Sequence, residues 1–483
     1  MELAVANTSV VVPAKPIREH WMLLSNLDRL VMPTYVRVLL VYSLSRGGES
    51  KQEEEHQSCS YARVLQTLKD SLARALVDFY PMAGRLGVQD DGLVNLHCNG
   101  AGAIFSEAFS NQPLSNVELA SNMCHLSGIQ AANLAEGPHY VPSRETQIPA
   151  LIVQVTHFRC DNLVLAVNWH HTVADIYSGC HFLKSWAELA SGRTSPSLRP
   201  VHSRSLVQPR NELDVTLAER WARLARVSRA TVEHVEDVPS VLRAFDLSHE
   251  SALRLQETIR SESEGTSSHQ TNVSIGAPDS SVLAQLWRLL AKARRAEEPD
   301  DSDNASRLFM FVEGRSFLNL PRGYFGNVVG CACARSTEEN LMNGSLSSIA
   351  RLIQSAVAEI SCTEFFQSLI DWVEAQWLSS ARQEHGLSME HYVAATLWTF
   401  APFYDLDFGW GKPSFALTNP APRRFFDGLV ILPGPHAEAD KTALIQMRGS
   451  CLNRLKDDPE FETLCTPSRF PRTDRQHPGQ SSA

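Results

Sequence analysis

The chain has no apolar run of the roughly 18 uncharged residues that a membrane span requires, and no run of Lys or Arg longer than two or three. Its charge balance also runs against a polyanionic partner, with 44 Lys and Arg against 54 Asp and Glu and a formal net charge of -10. Nucleic-acid binding and membrane spanning are therefore excluded, and small molecules are the expected partners. Cysteine is sparse and scattered, 10 in 483 residues. Cys160, Cys180, Cys331 and Cys333 fall in or beside apolar runs, where a reduced thiol behaves as a small hydrophobe. The CxC spacing of Cys331 and Cys333 is not that of a zinc knuckle, and no metal is expected. There is no GxSxG nucleophile elbow and no short repeat. Gly100 and Gly102 lack the further Gly and Lys of a phosphate loop, so Asn99-Gly-Ala-Gly102 reads as a turn between strands. The first residues carry no basic region before a short apolar run, which predicts a soluble, cytoplasmic protein.

What remains is an ordinary globular composition, 43% hydrophobic and 20% charged, over a length that suits two large domains. Each half mixes strands and helices. Apolar residues recur every three or four positions from Tyr61 to Phe79, Cys180 to Ala190, Ser281 to Arg294 and Ser347 to Ile360, which predicts helices. The runs 35–42, 151–158, 163–169, 307–312, 428–432 and 443–447 predict strands. Residues 1–200 form the expected first domain and 240–465 the second. Between them, 201–239 is Pro- and Arg-rich around one helix at 217–230, a linker whose arginines are expected to face solvent. From Thr466 to the end the chain is rich in Pro, Ser, Arg and Gln, and is expected to be disordered.

The stretch with chemical content lies in the first half. Asn162 to Trp169 alternates as a buried strand, the helical pattern begins just after Asp175, and His170-His171 sits at the junction. A strand end holds a side chain still while opening it to a cleft, and an imidazole there takes a proton from a bound nucleophile near neutral pH. Asp175, four residues on, either orients that ring or fixes the turn as a helix cap.

Five segments occur together in this order: Tyr80-Pro-Met-Ala-Gly-Arg-Leu86, Asn99-Gly-Ala-Gly102, His171-Thr-Val-Ala-Asp175, Gly323-Tyr-Phe-Gly-Asn327 and Asp407-Phe-Gly-Trp-Gly411. In this the chain resembles the plant BAHD acyl-CoA-dependent acyltransferases, from about Val10 to about Asp457. The resemblance implies an α/β (α+β) fold: two chloramphenicol-acetyltransferase-like domains, each a mixed sheet with helices, around a central solvent channel. It implies acyl-CoA as co-substrate with no bound cofactor, a small-molecule acceptor, and a monomer. His171 would be the general base, acting without a covalent acyl-enzyme. Asp175 would point away from the channel and pair with an arginine, for which Arg315 is the candidate. Asp407 is carried with His171 as a catalytic candidate. The motif around it, with Gly409, Trp410 and Gly411, is expected away from the reacting atoms, structural and with an influence on CoA binding. His170 is expected to pack within the strand end.

The chain also departs from the family pattern. Ile176 stands where glycine usually follows the motif aspartate, and Asn319-Leu-Pro321 is two residues shorter than the usual loop. Members that take shikimate or quinate carry an arginine at the position of Phe400. Ile176 and Phe400 are therefore the expected acceptor-pocket residues, and a carboxylated acceptor becomes less expected than an alcohol or a polyamine. A hydroxycinnamoyl donor is expected from the habit of the family. Two other readings are open: an inactive homologue that binds a ligand or partner protein, and a metal hydrolase using His170, His171 and Asp175. Adjacent strand residues point to opposite faces, which counts against the metal reading.

Overall fold

The computed structural model describes residues 3–44, 61–90, 92–132, 140–159, 161–225, 240–264, 278–295, 305–378, 392–419, 427–435 and 440–468. The expected helices and strands are present, and they build two large sheets and one small one. The first sheet has six strands, in the order Ala4–Val11, Ala103–Ser110, Leu151–Phe158, Asn162–His170, Tyr35–Ser43 and Phe415–Asn419. The second has seven, in the order Val329–Thr337, Ala305–Glu313, Tyr392–Leu397, Asp427–Pro433, Lys441–Arg448, Ser240–Leu247 and Cys465–Pro467. A four-stranded sheet joins His20–Met22, Val94–Cys98, Arg85–Val88 and Ile148–Pro149.

Leu151–Phe158 and Asn162–His170 are antiparallel neighbours, as their spacing predicts. They are buried on both faces, so they read as nearly continuous apolar runs. Helices Tyr61–Asp78 and Ile176–Ala190 pack together, burying Leu68, Leu72, Phe182 and Trp186. The Asn99–Gly102 turn closes on the Tyr80–Leu86 segment. The Gly102 amide donates to the Ala83 carbonyl at 2.9 Å, and Arg85 Nη1 donates to the Gly102 carbonyl at 2.6 Å. Two of the sequence motifs are thus one structural unit.

The two faces of each sheet have different neighbours. On the first sheet Val36 lies opposite Trp169, whose indole rests on Gly179 of the Ile176–Ala190 helix. Alternation puts Tyr35, Arg37, His170 and Asn168 on the other face. On the second sheet Leu429, Ile431, Ala443 and Ile445 pack on the Pro278–Arg295 helix through Leu286, Trp287 and Leu290. Their neighbours Val430, Leu432 and Leu444 belong instead to the core of the first sheet. The helix-free side of the second sheet is therefore the seam between the two lobes.

The chain crosses that seam more often than the expected domain limits allow. Phe415–Asn419 pairs with Tyr35–Ser43, and Phe403, Leu406 and Phe408 are buried in the first core, so this part of 240–465 belongs to the first lobe. In exchange the short helix Asn26–Leu30 leans on the second lobe, burying Leu27 there, and Asn26 Nδ2 donates to the Ile370 carbonyl at 2.9 Å. Strand pairing between residues hundreds of positions apart leaves no local trace, which is why a linear division missed it. The tail begins later than expected: Cys465–Pro467 pairs with Ser240–Leu247, and the Ser468 amide donates to the Ala244 carbonyl at 2.9 Å. The disorder expected for 469–483 lies outside the described residues. So does the end of the linker helix, of which Thr216–Ala225 is described. Nor are the linker arginines all solvated, since Arg204 is only 8% exposed.

Gly179 is where the strand Asn162–His170 and the helix Ile176–Ala190 touch, and a Cβ there would overlap the Trp169 ring. Gly179→Ala is expected to cost about 1–3 kcal/mol of stability through overpacking. A thermal melt equal to wild type would show that the helix moves aside at no cost.

Candidate active site

The strand Asn162–His170 ends against Tyr35–Ser43, and the chain turns at once into the Ile176–Ala190 helix. The His171 amide donates to the Thr34 carbonyl at 2.7 Å, and the amides of Val173 and Ala174 close the turn on His170 and His171. Asp175 caps the helix, its Oδ1 accepting from the Ser178 amide at 2.9 Å. The half-buried His171 ring is therefore delivered by a turn that is fixed at both ends.

Asp175 also meets the expected arginine. Arg315 reaches it through two parallel bonds, Nη1 to Oδ2 at 2.8 Å and Nη2 to Oδ1 at 2.9 Å. Burial pushes the Asp175 carboxyl up, but the Arg315 charge and bonds, with the Ser178 and Val328 amides, hold it below the ordinary carboxylate range. The same guanidinium donates to Ser178 Oγ, the Gly326 carbonyl and Glu313 Oε1. Asp175 thus fixes the turn and does not touch the His171 ring.

The ring is oriented by a partner from the other half of the chain. His171 Nδ1 lies 3.1 Å from Asn327 Oδ1. Asn327 Nδ2 faces three oxygens, Asp28 Oδ1 and the His171 carbonyl at 2.9 Å and the Thr172 carbonyl at 3.3 Å. The nitrogen end of the amide is therefore committed to donating, and the Oδ1 facing the ring is an acceptor. Nδ1 must carry the proton, which leaves Nε2 as the basic nitrogen.

Asp28 is itself fully buried, capping its own short helix with Ser25 and paired with Arg204 Nε at 2.6 Å. Arg204 donates further to the Phe325 carbonyl and, at 3.0 Å, to the Val173 carbonyl inside the catalytic turn. Asp28 and Arg204 were not anticipated. Ser25-Asn-Leu-Asp28 carries a helix-cap spacing as its one signal, and Arg204 carries none.

His170 behaves as expected of a strand-end packing residue. Its Nε2 donates to the Tyr140 carbonyl at 2.9 Å and its ring meets Tyr35 edge-on. Burial pushes it down to about 4, partly offset by the Tyr140 carbonyl, so it is neutral at physiological pH.

The remaining candidates divide. Phe400 is brought to the site: its ring stacks on Tyr177 at 4.0 Å between centroids, and the Arg315 guanidinium lies 5.6 Å from the Tyr177 ring centre. Ile176 opens the helix and is buried in the first core. Asp407 is not brought to His171. Its carboxylate accepts from the amides of Gly409 at 2.7 Å and Gly411 at 3.0 Å, both of which need the positive φ that glycine allows. Trp410 stacks on Phe408, and Ser191 Oγ donates to the Asp407 carbonyl at 2.6 Å. Ser191 follows the far end of the helix that His171 and its turn precede, about 22 Å away at 1.5 Å per residue. Asp407 therefore shapes its own loop, and the catalytic expectation for it is not carried forward. Among the described residues no group of three His, Cys, Asp or Glu side chains is placed to hold a metal ion. No described helix is long and apolar enough to cross a membrane.

Two mixed α/β lobes thus meet at a histidine whose ring is oriented across their seam. The chain matches the family described as the Transferase family over residues 1–462. It belongs to that family, the BAHD acyltransferases. It is 30% identical to hydroxycinnamoyltransferase 2 of Oryza sativa subsp. japonica, over 94% of this chain and 99% of that one. It is 29% identical to hydroxycinnamoyl-CoA:5-hydroxyanthranilate N-hydroxycinnamoyltransferase HHT1 of Avena sativa, and 28% to anthranilate N-benzoyltransferase protein 1 of Dianthus caryophyllus, with the same coverage. Among solved structures, vinorine synthase superposes with a TM-score of 0.67 at 22% identity, covering 97% of this chain and all of that one. F. graminearum TRI101 complexed with coenzyme A and deoxynivalenol gives 0.71 at 15% identity, over 93% of this chain and 99% of that one. These structures share the fold.

Two variants separate the roles. Asp175→Ala leaves Glu313 as the one carboxylate on the Arg315 guanidinium among the described residues and is expected to cost about 3 kcal/mol. Because the Asp175 carboxyl is depressed in the folded state, its contribution is present above about pH 4 and lost as pH falls through the folded value. Acid titration of the melting temperature should show that loss in the wild type and not in Asp175→Ala. Asn327→Ala frees the ring to turn and should lower kcat roughly 10- to 100-fold with a smaller change in KM; an unchanged kcat would place the ring's orientation elsewhere.

Proposed function

We propose that this acyltransferase moves a hydroxycinnamoyl group from its CoA thioester to the hydroxyl or amine of a small acceptor, with His171 as general base. The observation that carries the mechanism is the His171 ring held by Asn327 with Nε2 as its basic nitrogen. The acyl group rests on the names of the relatives, several of which are hydroxycinnamoyltransferases. Two of the named relatives acylate a nitrogen, which supports an amine acceptor beside an alcohol.

The steps follow from the geometry. A protonated hydroxyl or amine is a weak nucleophile. Nε2 removes its proton as the oxygen or nitrogen bonds to the thioester carbonyl carbon, a contribution of roughly 10²- to 10⁴-fold. The carbonyl electrons move onto oxygen, then return as the carbon–sulfur bond breaks. The leaving thiolate takes the proton from the imidazolium, so base and chain end unchanged and no acyl-enzyme forms. Asn327 accepts from Nδ1–H throughout and keeps the ring from turning as Nε2 gains and loses its proton.

The test is free-thiol release from p-coumaroyl-, feruloyl-, acetyl- and malonyl-CoA, each offered with an alcohol, an aromatic amine and a polyamine. Acceptor-dependent release is expected with a hydroxycinnamoyl donor, falling by at least 10²-fold in His171→Ala while the melting temperature holds. Release that survives in His171→Ala would place the base elsewhere, and preference for acetyl or malonyl would overturn the donor assignment.

A further inference from the structure

Three buried arginines stand around this site, and two of them have carboxylate partners. Arg204 pairs with Asp28 and Arg315 with Asp175. The third, Arg37, is 3% exposed and lies on the face of Tyr35–Ser43 turned away from the Ile176–Ala190 helix. Its Nη2 donates to Tyr140 Oη at 3.4 Å, its Nη1 lies 3.6 Å from Cys124 Sγ, and its Nε has no partner. Among the described residues no carboxylate forms an ion pair with it. A guanidinium keeps its proton at any working pH, so burial without an anion is costly and calls for one.

The surroundings of Arg37 repeat the pattern. Asn168 sits directly across the strand pair; its Nδ2 is satisfied by the Ser127 and Ile152 carbonyls while its Oδ1 has no partner. His170 Nδ1 and Thr34 Oγ1 are buried without partners as well. Most buried polar atoms in folded proteins are satisfied; of these four orphans Arg37 Nε and the Thr34 hydroxyl can donate to an anion, while Asn168 Oδ1 and His170 Nδ1 accept and call for a donor group on the same ligand. The Arg37 strand is tied to the His171 turn through the backbone. The Thr34 carbonyl holds the His171 amide, and Tyr35 faces His170. Tyr140 accepts from His170 through its carbonyl and from Arg37 through its hydroxyl. Arg37 stands two residues along the strand from Tyr35, about 7 Å.

We propose that Arg37 binds a carboxylate carried by one of the two substrates, either the acceptor or the acyl group. A guanidinium fork matches a carboxylate through two parallel bonds, and the first lobe thereby supplies the cation that Phe400 does not. This rests on the acyl-transfer reading only for the carboxylate's purpose, not for its binding.

Calorimetry on the whole chain tests it with two matched pairs: 2-aminobenzoate against aniline, and malonyl-CoA against acetyl-CoA. Wild type should bind the carboxylated member of one pair at least 10-fold more tightly, and which pair responds names the source. Arg37→Met should lower that ratio by about 10- to 100-fold without lowering the melting temperature, because it removes a charge with no protein partner. Arg37→Lys keeps the charge without the fork and should fall between. No preference in either pair, or an equal preference in wild type and both variants, overturns the proposal, as does a melting temperature that collapses in both variants. Arg37-dependent binding without any acyl transfer would leave this site standing and remove the transferase reading.

Discussion

The site depends on two buried carboxylate–arginine pairs that hold one tripeptide between them. Asp175 and Arg315 grip one side of residues 326–328: the Val328 amide donates to Asp175, and the Gly326 carbonyl accepts from Arg315. Asp28 and Arg204 grip the other, with the Asn327 amide on Asp28 and the Phe325 carbonyl on Arg204. Ser178 closes the gap, accepting from the Gly326 amide and donating to its carbonyl. Gly326 is required here, since a Cβ would press on the Arg204 guanidinium. Buried pairs of this kind contribute little net stability, because desolvation offsets most of the attraction. What they contribute is one geometry: any slip in 326–328 leaves a buried charge uncovered.

That geometry is why the lobes exchange segments. A histidine ring on the first lobe, oriented by an amide on the second, keeps its setting only if the lobes cannot slide. Asn26–Leu30 reaching into the second core, and Phe415–Asn419 completing the first sheet, remove that freedom. The Phe400–Tyr177 stack adds a contact from the second half beside the turn itself. The solved structures of vinorine synthase and TRI101 share this overall fold.

Most of the fold was legible because periodicity is local. The helices at 61–78, 176–190 and 278–295 show their apolar stripes, and the strands around 151–170 show their runs of β-branched and aliphatic residues. His171 and Asp175 were legible through the motif that holds them both, and Arg315 only through the family resemblance, which implies an arginine partner for Asp175. Asp28 and Arg204 were not, because a single charged residue in a mixed segment looks the same whether solvent or a distant partner neutralises it. The same blindness placed the linker arginines in solvent. Arg37 did offer a signal that passed unremarked: it is the lone charge in Tyr35-Val-Arg-Val-Leu-Leu-Val-Tyr42, a run otherwise suited to a buried strand. Asp407 erred in the opposite direction, since a recurring motif aspartate suggests chemistry whereas its carboxylate serves two glycine amides.

The choice of an amide to touch His171 has a consequence for catalysis. A carboxylate bonded directly to Nδ1–H would fix the tautomer as well, and would also favour the imidazolium strongly. Asn327 fixes the tautomer with a neutral oxygen and leaves the Asp28 charge one residue further away, already balanced by Arg204. His170, beside the proposed base, is held neutral by burial and so sets no positive charge against a proton arriving on His171. In the proposed mechanism the proton is then taken from the acceptor and surrendered to the departing thiolate in one turnover. A base that must give back what it takes is better oriented by a dipole than clamped by a charge.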